Sequence, residues 1–134
     1  MTLMLLNKLQ HCTVNSFLYL RTYFTKMKYD KHIFICTNER KNSERKSCGE
    51  AHGLELVDAF KKRIKELGLN TTIRAQKTGC LDVCDFGPAL VVYPEGIFYG
   101  SVSINDVDEI ISSHIQNNIP VERLRLKFDR TTQA

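Results

Sequence analysis

Four of the five cysteines fall into two pairs. Cys36 closes the apolar run His32-Ile33-Phe34-Ile35, and Cys48 follows it across a polar stretch. Cys80 and Cys84 lie close together in the turn-rich segment Thr78-Gly79-Cys80-Leu81-Asp82-Val83-Cys84-Asp85-Phe86-Gly87-Pro88. Thiolates are soft donors, and two pairs of them in loops beside regular structure are how a chain grips one soft metal centre. Cys12 stands apart in the N-terminal leader and is not part of this set.

The elements around these thiols can be read in order. His32 to Cys36 is β-branched and aromatic and reads as a buried strand. Thr37 to Gly49 has no apolar residue except Cys48 and reads as an exposed loop. Its Arg40, Lys41, Arg45 and Lys46 against Glu39 and Glu44 form a solvated surface or, functionally, a mildly basic collar around an anionic centre or a docking surface for an acidic partner. From Glu50 to Leu67 the apolar positions Leu54, Val57, Phe60, Ile64 and Leu67 recur at helical spacing, and Gly68 supplies the stop. The helix is expected to start just after Cys48, where its N-terminal partial charge would favour a thiolate. His52 in its first turn is a conceivable but disfavoured ligand.

Thr71 to Ala75 reads as a second strand, parallel to the first through a right-handed crossover. Cys36, Cys48 and Cys80 then share one edge of the sheet. Ala89 to Tyr93 and Ile97 to Val102 form a hairpin about Pro94-Glu95-Gly96. Ser103 or Asn105 caps a second helix whose apolar face is Val107, Ile110, Ile111, His114 and Ile115, with His114 a packed residue rather than a ligand. The order strand, helix, strand, strand, strand, helix is an α/β class and matches a thioredoxin-like fold, a mixed sheet covered by helices. Val121 to Phe128 alternates and suits an edge strand, a surface tail or a dimer contact.

Charge and composition narrow the function. The chain has 134 residues, enough for one domain, with 43% hydrophobic and 25% charged residues, as in an ordinary globular protein. Its net charge of +4 comes entirely from residues 1–28, where Lys8, Arg21, Lys26 and Lys28 face no acid. The remainder is balanced, which argues against a nucleic-acid partner. No apolar run approaches the roughly 18 residues that span a bilayer, so no membrane partner is expected. Residues 1–28 match no targeting class well, although their basic, acid-free character is that of an organelle-targeting peptide, and they are expected to be a disordered leader or, through residue 26, to lie upstream of a start at Met27. Residues 29–128 form the domain and 129–134 a tail. Without a secretion signal the thiols belong to a reducing, cytoplasmic compartment, where pairs serve metals or catalysis rather than structural disulfides.

Three chemistries suit the thiols. Cys36, Cys48, Cys80 and Cys84 could hold a [2Fe-2S] cluster. They could instead hold a structural zinc in an interaction module, although neither pair has the Cys-x2-Cys spacing usual for zinc. Cys80 and Cys84 could also form the redox disulfide of a thiol-disulfide oxidoreductase, although thioredoxin-type catalysis uses Cys-x2-Cys at a helix N-terminus. Asp82 and Asp85 either shape the turn or disfavour a reduced, more negative centre.

The segment from Lys31 to Leu126 resembles the thioredoxin-like [2Fe-2S] ferredoxins, a family related in fold to the small cluster-bearing subunit of respiratory NADH dehydrogenase. The resemblance is carried by His32 to Arg40, Ser47-Cys48-Gly49, Gly79 to Cys84 with Gly87-Pro88, Val91 to Pro94 with Gly96 to Gly100, Asp106 to Ile110, and Pro120 to Leu124. The loop between Cys36 and Cys48 differs, with Lys41-Asn42-Ser43-Glu44 where the family commonly has Pro and Gly. The resemblance implies that Cys36, Cys48, Cys80 and Cys84 are the cluster ligands. It also implies a one-electron carrier rather than an enzyme, serving redox partner proteins as a homodimer.

Overall fold

The computed structural model describes residues 27–41, 44–49 and 52–129. The expectations for the leader, for Cys12 and for the end of the tail fall outside these residues. β1 (Lys31–Cys36) leads into α1 (Gly53–Glu66), then β2 (Ile73–Thr78), β3 (Leu90–Tyr93) and β4 (Ile97–Tyr99). A composite helix, α2, follows. It opens as a 3-10 turn over Ile104–Asp106, runs as an α-turn over Val107–Glu109 and ends in a π-helical stretch over Ile110–Ile115.

The sheet order is β2-β1-β3-β4. β1 pairs with β2 in parallel and with β3 antiparallel, and β3 pairs with β4 antiparallel. This is the parallel pair extended by a hairpin that the element order implies. Period-two alternation gives the sheet two different faces. Ile33, Ile35, Leu90, Val92 and Tyr99 point into one core with Leu56, Val57, Phe60 and Ile64 of α1 and Val107, Ile110, Ile111 and Ile115 of α2. On the other face His32 stacks on Phe34 with ring centroids 4.0 Å apart, and Phe34 meets Tyr93 edge-on.

Ser103 is the cap of α2: its amide and hydroxyl both donate to Asp106 Oδ2 at 2.8 Å. His114 is fully buried in the core, as its place on the apolar face suggested. Residues 121–128 are a tail bordering β4. Leu124 O accepts the Gly100 amide, the Leu126 amide donates to Phe98 O, and a single bridge joins Tyr99 to Arg125. β2 begins and ends later than the run Thr71 to Ala75, because the Leu69 carbonyl holds Thr72 and Ile73 in a turn and pairing with β1 extends the strand to Thr78. Among the described residues no helix is long and apolar enough to cross a membrane.

Candidate metal centre

Parallel pairing places the ends of β1 and β2 side by side, with Cys36 opposite Thr78. Three hydrogen bonds fix this corner: the Cys36 amide donates to Ala89 O at 3.0 Å, and the Thr37 amide and hydroxyl both donate to Thr78 O. Cys48 sits in the turn before α1, and its carbonyl accepts the Gly53 amide at 2.8 Å. A Cβ at Gly53 would run into the carbonyl oxygens of Cys36 and Cys48, so the bare α-carbon lets the helix start press on both cysteine backbones. Cys36 and Cys48 are buried with Ala89, flanked by Leu81 and Val83.

The second pair comes from the loop after β2. Cys80 is exposed, and Cys84 is buried at the start of a short 3-10 turn, Cys84–Phe86. Their sulfurs are 3.3 Å apart as free thiols. Asp82 adopts a left-handed conformation, φ 59°, and its amide donates to Cys80 Sγ at 3.3 Å. The turn-forming role of Asp82 is therefore realised. Arg40 spans the pair, with Nη1 3.1 Å from Cys84 Sγ and Nη2 3.5 Å from Cys80 Sγ.

The electrostatics of the two pairs differ. The Cys80 thiol is held below the ordinary cysteine value, first by the Asp82 amide and then by Cys84 and Arg40. The Cys48 thiol is pushed up to about 11, first by burial, with neighbouring Cys36 and Cys84 adding to the rise and the Ala89 amide opposing it. The expected helix-dipole effect at Cys48 is thus overturned. α1 begins at Gly53, beyond a turn, and burial dominates at the sulfur. The predicted apolar face of α1 also needs correction, since Leu54 and Leu67 are exposed while Leu56 is buried. His52 is left-handed, faces Glu55 in solvent and does not join the thiols.

The four sequence-predicted cysteines are thus brought to one edge as two pairs, Cys36 with Cys48 and Cys80 with Cys84, and Cys48 also senses Cys84 electrostatically. Among the described residues no group of three or more His, Cys, Asp or Glu side chains is arranged to hold a metal ion. A two-iron cluster takes its thiolates two per iron, and the donor set fits it. Arg40 is the residue in contact with the second thiol pair that spacing did not single out. The only signal was a cation in the loop between the first two thiols.

No family model matches the chain. It is 40% identical over 96 residues to a 2Fe-2S ferredoxin of Clostridium pasteurianum, covering 71% of this chain and 94% of the relative. It is 40% identical over 98 residues to a 2Fe-2S ferredoxin of Aquifex aeolicus, covering 70% and 86%. The crystal structure of the wild-type thioredoxin-like [2Fe-2S] ferredoxin from Aquifex aeolicus superposes with a TM-score of 0.70 at 36% identity, covering 76% of this chain and all of that one. Fold, paired thiols and likeness converge: the chain belongs to the thioredoxin-like [2Fe-2S] ferredoxin family.

Proposed function

We propose that this chain is a one-electron carrier whose [2Fe-2S] cluster is held by the thiolates of Cys36, Cys48, Cys80 and Cys84, within a unit spanning residues 29–128. The observation that carries the reading is the meeting of two free-thiol pairs at one sheet edge. When bound, the cluster supplies a one-electron couple tuned by hydrogen bonds, charge and exposure.

The chain's own residues do the rest. Cys36 and Cys48 anchor the inner side, where the β1 corner and the start of α1 hold their backbones rigid. Rigid ligands keep reorganisation small when the charge changes. Cys80 lies exposed, which brings the outer side of the site to the surface where a redox partner protein docks. The chain binds no substrate and acts as a carrier rather than an enzyme. Its cytoplasmic setting keeps the thiols reduced, and two copies pair as a homodimer, as the resemblance implies.

Anaerobic titration with a calibrated reductant tests the reading. Uptake of one electron per chain, with bleaching of visible absorption, supports it. Uptake of two electrons with the appearance of two new thiols would make Cys80 and Cys84 a redox disulfide instead. That outcome is disfavoured because Cys84 opens only a short 3-10 turn rather than a helix.

A further inference from the structure

We propose that Arg40 sets the reduction potential of this centre and clasps the segment before Cys48 to the second thiol pair, an inference that rests on the one-electron reading above. Its guanidinium makes three contacts at once. Nη1 donates to Cys84 Sγ at 3.1 Å and to Lys46 O at 3.2 Å, while Nη2 reaches Cys80 Sγ at 3.5 Å. The planar fork of arginine offers fixed, divergent donors, and this site uses them on two sulfurs and one carbonyl. The loop is also tied at its far side, where the Gly49 amide donates to Asn38 O at 2.9 Å. Arg40 therefore links the segment before Cys48 to the sulfurs of the second pair.

The sign of its effect follows from charge. Reduction adds one negative charge to the centre, and a permanent cation hydrogen-bonded to two of its sulfurs stabilises that state more than the oxidised one. Arg40 thus raises the potential. It opposes Asp82, between Cys80 and Cys84, and Asp85, directly after Cys84, whose carboxylates favour the oxidised state. Lysine would keep the charge but has no planar fork to meet both sulfurs and the carbonyl together.

EPR-monitored redox titration of the loaded protein tests this with Arg40→Lys and Arg40→Gln. Arg40 as inferred places the potentials in the order wild type, Arg40→Lys, Arg40→Gln, from highest to lowest. Should Arg40→Gln load poorly, Arg40→Lys carries the comparison. Equal potentials in wild type and variants, with an intact one-electron wave, would overturn the role of Arg40 and leave the carrier reading standing. Absence of any one-electron wave in wild type would instead sink the carrier reading. Hydrogen exchange on the cluster-free protein decides the clasp independently of loading. Faster exchange across residues 44–49 in Arg40→Gln supports it, and unchanged exchange overturns it.

Discussion

Gly87 stands so close to Cys48 that a Cβ on it would lie 2.9 Å from the Cys48 sulfur. The Gly87 backbone is extended, φ −71° and ψ 156°, so alanine would meet no conformational strain there. What it would meet is the sulfur. A thiol turns on one bond, so Gly87→Ala should rotate Cys48 away from the site. Cluster content should fall severalfold while fold stability drops by only about 1–3 kcal/mol, the usual cost of overpacking. Iron per chain and a urea melt on the same sample check this. Full loading in Gly87→Ala would mean that Cys48 is not confined as described.

The ligand set makes a contrast. Single Cys→Ala changes at positions 36, 48, 80 and 84 should each abolish or strongly deplete visible absorption, whereas Cys12→Ala should leave it unchanged. Loss at Cys12, or retention at any of the four, would redraw the ligand set.

On β4, the Tyr99 hydroxyl is held between two partners. It accepts the Val121 amide at 3.0 Å and meets His114 Nδ1 at 2.7 Å. The hydroxyl thus serves two buried groups at once, an amide that can only donate and an imidazole nitrogen. Tyr99→Phe would leave a buried amide and a buried ring nitrogen unpaired, at a cost of about 1–3 kcal/mol. A urea midpoint lowered without a change in cluster potential is the expected result.

His114 also makes stability depend on pH. Burial, then the charges of Lys31 and Arg125, lowers its pKa from 6.5 to about 4. Glu95 Oε2 lies 3.6 Å from Nε2, but that carboxylate is already engaged by Lys31. With the folded value depressed, the unfolded chain takes up the proton first as pH falls. The stability present above about 6.5 is lost progressively toward about 4, amounting to about 3 kcal/mol by linkage. Denaturant melts across this range should show that loss in wild type and a flatter profile in His114→Gln. Parallel profiles would contradict a neutral buried imidazole.

The shared edge of Cys36 and Cys80 was legible in the chain because a strand-helix-strand unit has one handedness and its parallel strands end together. The Ser103 cap and the apolar face of α2 were legible from local chemistry and period. The start of α1 was not. Periodicity counts Leu54 as core, yet it is 56% exposed, because Gly53 packing on the Cys36 and Cys48 carbonyls sets where the helix begins. Arg40 was legible only as one cation of a possible basic collar, and its contact with the second thiol pair was not, for a related reason. Which way a long side chain reaches depends on how the loop after β1 closes, and that is decided by contacts such as Gly49 to Asn38 that no spacing records.

The most direct test of the account is quantification of iron, sulfide and zinc on anaerobically purified protein, with visible and EPR spectra of the same sample. The account predicts a red-brown protein with two irons and two sulfides per chain and a paramagnetic signal that appears on reduction. A colourless protein holding one zinc per chain, unchanged after attempted cluster reconstitution, would contradict it.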